Sequence, residues 1–71
     1  METVKIDTEF IRLDDLLKLT GVASTGGQAK IMIKSGLILV NNEVCEMRGK
    51  KLRDGDKVTV PHEKREIAIA N

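Results

Sequence analysis

Apolar residues in this chain change their spacing from one stretch to the next, and the changes mark out its elements. Val4 and Ile6 alternate with Thr3, Lys5 and Asp7, the period-two pattern of a short strand with one buried face. Glu9-Phe10-Ile11 is expected to lead into a helix, because from Leu13 the spacing widens. Leu13, Leu16 and Leu17 fall on one helical face, and Thr20 extends the stripe. Asp14 and Asp15 stand in the first turn, where carboxylates complement the helix dipole. Gly21 suits the left-handed position just past the end.

A second helix is expected to start at Thr25. The Thr25 hydroxyl can accept from the Gln28 amide while the Gln28 side chain reaches back to the Thr25 amide, a capping box. Ala29, Met32 and Ile33 share one face of this helix, and Gly27, Lys30 and Lys34 share the opposite one. Ile31 falls between the two lysines, on the polar side. Gly36 ends the helix. Ile38-Leu39-Val40 and Val44-Cys45-Glu46 then read as paired strands around Asn41-Asn42, residues that tolerate the positive φ angles of a type I′ turn. Arg48-Gly49-Lys50-Lys51 reads as a polar connection and Asp54-Gly55-Asp56 as a turn. Lys57-Val58-Thr59-Val60 alternates as another strand, stopped by Pro61. Glu66-Ile67-Ala68-Ile69 alternates once more and is expected to lie beside Val4–Ile6.

Length makes this one domain, residues 1–71, near the lower size at which a chain folds without disulfides or metal. Phe10 is the only aromatic and is expected to be buried, so the core must come from Leu, Ile, Val and Met. One cysteine, Cys45, excludes an internal disulfide and fits a reducing compartment; in a strand it reads as a small buried hydrophobe. No stretch approaches the roughly 18 apolar residues of a membrane span, and the first residues lack a signal-peptide core. A cytoplasmic protein without a membrane partner is the expectation.

Net charge is only +1, but it is unevenly spread. Residues 1–11 sum to −2 and residues 12–36 to +2. Arg48, Lys50, Lys51 and Arg53 place four cations within six positions, with Glu43, Glu46, Asp54 and Asp56 on the flanks. A helix N-terminus exposes unpaired amides, so Thr25, Gly26, Gly27 and Gln28 form a candidate phosphate seat. Arg12 can offer a forked pair of hydrogen bonds to a phosphate, or pair with Asp15. Lys18 stands four residues after Asp14, the favoured order for a helix-surface ion pair. His62 lacks any partner at metal-ligand spacing, and no nucleophile–base pair, phosphate loop or zinc pattern occurs. Neither catalysis nor a cofactor, metal or small-molecule substrate is expected. Single-strand readers stack bases on aromatic side chains, and Phe10 alone cannot provide such a platform, so contact with a nucleic acid would rest on phosphates, 2′-hydroxyls and shape.

With Arg12-Leu13-Asp14, Leu17, Gly21, Ala29, Ile33, Gly36, Val40-Asn41, Val44 and Gly55-Asp56…Val58…Val60 in place, the chain resembles the S4-like RNA-binding domain. The likeness runs from about Ile11 to Val60 and is strongest to short free-standing bacterial members linked to ribosome maturation. It implies an α+β fold of the S4-like (alpha-L) type, two short helices packed on a small twisted, mainly antiparallel sheet, with terminal strands at 3–6 and 66–69. It also implies binding of structured RNA, ribosomal RNA by extension, with the ribosome or an assembly intermediate as partner. The contacts would then fall on Arg12, on Thr25 to Gln28, on Lys30 and Lys34, on Asn41, and on Arg48, Lys50 and Lys51. One departure stands out: the family commonly has Ser-Arg where this chain has Thr25-Gly26, which removes one expected phosphate contact. The rival reading is a protein-interaction adaptor that kept the scaffold and weakened its RNA contacts, supported by the near-neutral charge and by Ile31.

Overall fold

Residues 1–71 are described by a computed structural model. Seven strands, two α-helices and one 3₁₀ turn follow the order β1 (Glu2–Lys5), β2 (Ile11–Arg12), α1 (Leu13–Leu19), α2 (Gly26–Lys34), β3 (Leu39–Val40), β4 (Glu43–Val44), β5 (Lys51–Leu52), β6 (Lys57–Val60), a turn at Pro61–Glu63, and β7 (Arg65–Ala70). Five strands form one sheet in the order β1-β7-β6-β3-β4, while β2 and β5 pair separately. All pairings are antiparallel except β1 with β7.

The amphipathic pattern decides what faces inward. Leu13, Leu16 and Leu17 of α1 and Ala29 and Ile33 of α2 have no solvent exposure, and they share one core with Val58 and Val60 of β6 and Ile67 and Ile69 of β7. Full burial of each large aliphatic side chain contributes about 1.5–3 kcal/mol. The helices are too short to persist alone, so this shared core is what holds them. Met32 is only partly buried, and Cys45 packs half-buried on the edge of the core.

The turns follow their sequence. Asn41 and Asn42 take φ of 51° and 72°, the two positive angles that a type I′ turn demands. Gly21 and Gly36 take φ of 80° and 78° directly after the helix ends, where a Cβ would strain the backbone. Arg65 on β7 donates to the Glu2 carboxylate at 2.8 and 2.6 Å and to the Thr20 carbonyl at 2.9 Å. That one side chain ties the sheet edge to the C-terminal end of α1, where a cation is favoured.

Several expectations need correction. The hairpin strands are shorter than the apolar runs, Leu39–Val40 opposite Glu43–Val44, although the Cys45 amide still donates to Ile38. Glu9-Phe10-Ile11 does lead into α1, but its last residue belongs to a short strand, Ile11–Arg12, that runs straight into the helix. Lys51 is not part of a loop: Lys51–Leu52 pairs with Ile11–Arg12, burying Leu52 completely. Phe10 is half-buried rather than buried, with Lys51 Nζ at 4.9 Å and Arg53 Cζ at 5.7 Å from its ring centre. A ring face attracts cations, so the lone aromatic serves as a seat for two of them.

Candidate nucleic-acid interface

Helix α1 begins at Arg12 without any side-chain cap. Its first amides would be orphaned, and the loop before β5 supplies the acceptors instead. Leu13 donates to the Lys50 carbonyl at 2.9 Å and Asp14 to the Arg48 carbonyl at 3.0 Å. The Asp15 amide donates to Asp14 Oδ1 at 2.9 Å. Capping by a distant backbone segment therefore brings Arg48 against the start of α1, a proximity that no local sequence rule contains.

The side chains converge at the same point. Asp14 is only 4% exposed, and both of its oxygens are occupied. Arg12 donates through Nε at 3.2 Å and Nη2 at 3.1 Å, and Arg48 donates through Nε at 3.1 Å. Burial disfavours the ionised Asp14 carboxyl, but the hydrogen bonds from Arg48 and Arg12 outweigh it and hold the group below the ordinary aspartate value. Both arginines keep about half of their side-chain surface in solvent. The pairings differ from those expected on α1, since Arg12 takes Asp14 and Lys18 takes Asp15 at 3.4 Å.

The α2 start lies alongside. Thr25 accepts from the Gln28 amide at 3.0 Å as expected, but Gln28 Oε1 accepts from the Ser24 amide at 2.6 Å and not from Thr25. A Cβ on Gly26 would lie 3.8 Å from Arg48 Nη2, and one on Gly49 would lie 3.4 Å from Arg12 Nη2. Arg48 thus stands against the position where the related pattern has its arginine and this chain has Gly26. Lys30 and Lys34 are exposed further along α2 and make no ion pair.

The remaining candidates divide. Lys50 is exposed and lines a shallow groove beside the β3–β4 hairpin. Lys51 stands opposite Arg12 in the β2–β5 ladder, with its Nζ over the Phe10 ring. Asn41 is engaged in the fold: its side chain donates to Asp56 at 3.0 Å and accepts from the Lys57 amide at 3.0 Å. The run from Arg48 to Arg53 therefore meets three different neighbours: the Asp14 carboxylate, the groove beside the hairpin and the Phe10 ring. Asp14 and Gly49 were missed as members of the site. An acid two positions after an arginine at a helix start was the available signal, and its first-turn position explained it equally well.

This is a small α+β module in which two arginines, Arg12 and Arg48, meet at the junction of two helix starts, with no deep cleft. The S4 domain pattern matches residues 4–69, almost the whole chain, so the chain belongs to the S4-domain family. It is also similar to a protein of Bacillus subtilis (strain 168) described as "Probable ribosome maturation protein RlbA", 44% identical over 57 residues and covering 80% of each chain. No helix is long and apolar enough to cross a membrane.

The glycines at the α2 start lend themselves to a direct test. Neither takes a positive φ, and a methyl group on either would meet only ordinary contacts. Gly26→Ala and Gly27→Ala are each expected to raise stability by about 0.4–1 kcal/mol through the unfolded chain. Thermal melts measure the gain. RNA affinity that falls despite it marks the glycines as openings for close backbone approach, and unchanged affinity marks them as structural.

Proposed function

We propose that this protein binds structured RNA, ribosomal RNA in particular, and acts without catalysis in ribosome maturation in the bacterial cytoplasm. The observation that carries this is the convergence of Arg12 and Arg48, half exposed and side by side, next to the glycine start of α2. Forked guanidinium groups match phosphate geometry, and amides at a helix start add a fixed partial positive charge. Membership of the S4-domain family and likeness to a protein named for ribosome maturation support the same reading. Lys30 and Lys34 extend the surface along α2, and with no ion pair of their own both charges face solvent. With no stacking platform beyond one half-buried ring, recognition rests on phosphates and shape, as at a junction or bulge of folded RNA.

Salt titration tests this. Binding to a folded RNA hairpin should weaken steeply as salt rises. Lys30→Ala/Lys34→Ala should lower the slope of log affinity against log salt by about 0.7–0.9 for each phosphate no longer neutralised. Circular dichroism checks that the variant is folded. A slope that does not change removes α2 from the binding surface.

A second reading, a protein-interaction adaptor, is favoured by one observation: Ile31 is 68% exposed between those two lysines. If RNA is the sole partner, Ile31→Gln leaves RNA affinity within about twofold, since apolar contact adds little to a charge-driven association. If a protein docks there, the same substitution abolishes capture of that protein, as removal of a central apolar anchor does. Parallel RNA-binding and pull-down measurements separate the two.

A further inference from the structure

Arg12 and Arg48 come from opposite ends of the fold's centre, with 34 positions separating Arg48 from Asp14 in the chain. Two guanidinium groups in such proximity repel one another, and each long stem is free to swing in water. One carboxylate accepts from both, which offsets the repulsion and restrains the two stems. Asp14 Oδ2 accepts from Arg12 Nη2 and from Arg48 Nε at 3.1 Å each, and Oδ1 accepts from Arg12 Nε at 3.2 Å. The Nε edges are thereby turned inward. Both terminal nitrogens of Arg48, and one of Arg12, keep their hydrogens uncommitted, on side chains that are 41% and 48% exposed.

Resting on the RNA-binding reading above, we propose that Asp14 is a positioning residue that makes Arg12 and Arg48 one preorganised clamp for a single backbone phosphodiester of RNA. Asp14 itself does not touch the RNA, being only 4% exposed beneath the two guanidinium groups. Gly49 and Gly26 are the flanks of the clamp. A Cβ at Gly49 would lie in contact with Arg12 Nη2 at 3.4 Å, and one at Gly26 in contact with Arg48 Nη2 at 3.8 Å. The affinity gained comes from rigidity: both arginines have given up their rotamer freedom before the phosphate arrives.

The role predicts an effect of opposite sign to simple charge counting. Asp14→Asn removes a negative charge beneath a cationic surface, so electrostatics alone makes RNA bind more tightly. Loss of positioning makes it bind more weakly, because an amide keeps one acceptor oxygen of the two and no charge, and its NH₂ then faces the Arg12 Nε and Asp15 amide donors that Oδ1 accepts from. Asp15→Asn is the matched control, since Asp15 is half exposed, pairs with Lys18 and carries the same charge. The probe is bulk bacterial ribosomal RNA at fixed salt. Asp14→Asn is expected to weaken binding about tenfold or more, while Asp15→Asn leaves it equal or tighter.

If the wild-type protein binds this RNA and Asp14→Asn binds it equally well or better, the positioning role is overturned and the RNA-binding reading survives. If the wild-type protein shows no salt-sensitive RNA binding, both fall together. Should Asp14→Asn fail to fold, the wild-type protein still decides the matter by NMR. Its Arg12 and Arg48 Nε–H signals should be distinct and slow to exchange with water in the absence of RNA. Fast exchange at both would mean that no preorganised clamp exists.

Discussion

Replacing Arg12 and Arg48 together by alanine is expected to destabilise the domain by about 2–3 kcal/mol at neutral pH, in addition to removing most RNA affinity. Asp14 would lose the bonds from both arginines and keep only the Asp15 amide as a partner. Breaking a fully buried ion pair costs about 3–5 kcal/mol, and solvent access to both arginines reduces that figure. For a domain whose total stability is roughly 4–10 kcal/mol, this is a large fraction.

The pH dependence carries a definite sign. Asp14 titrates in the folded protein below its ordinary value of 3.8, so its contribution is fully present above that value and is lost as pH falls through the lower, folded one. The wild-type advantage over the double variant should therefore hold from neutral pH down to about 4 and shrink in more acid solution. Urea melts across this range measure it, and a gap that stays constant or grows in acid refutes the assignment. A companion variant separates fold from function. Arg12→Met/Asp14→Leu/Arg48→Met removes the whole charged cluster, and apolar replacement of such clusters is commonly neutral for stability. It should recover most of the lost stability and none of the RNA affinity.

Ile33→Ala should be the most damaging single change in α2, at about 2–5 kcal/mol, because the side chain is wholly buried and its removal leaves a cavity as well as reduced apolar burial. Ile33→Val should cost about 0.5–1.5 kcal/mol. The urea midpoint should fall in both cases with the slope unchanged. The loss reaches function indirectly. Ile33 anchors the helix that carries Gly26, Gly27, Lys30 and Lys34, so RNA affinity should track the folded fraction and match the wild type once corrected for it. An affinity deficit beyond that correction would mean that packing behind α2 also sets the geometry of the cationic face.

Local physics made much of this protein legible in its sequence. The Leu13-Leu16-Leu17 stripe, the Ala29–Ile33 face, the asparagine turn and the alternation at Val58–Val60 and Ile67–Ile69 each follow from neighbours a few positions away. Side-chain period and turn chemistry act over that range, so these readings correspond to the observed helices, strands and buried face. The outlying position of Ile31 was visible for the same reason.

Tertiary structure decided the contacts made across the fold. Whether Asp14 would pair with Lys18 on its own helix or with Arg48 from a distant loop depends on where that loop lands. The loop lands there because its carbonyls satisfy the uncapped amides of α1. The same docking pairs Lys51–Leu52 with Ile11–Arg12, turns Lys51 and Arg53 toward Phe10, and sets Arg48 beside Gly26. Sequence alone determined the scaffold and the supply of cations. Which cations stand together was left to unpaired backbone groups finding partners far along the chain, because an orphaned amide states only that it needs an acceptor, not which one it will find.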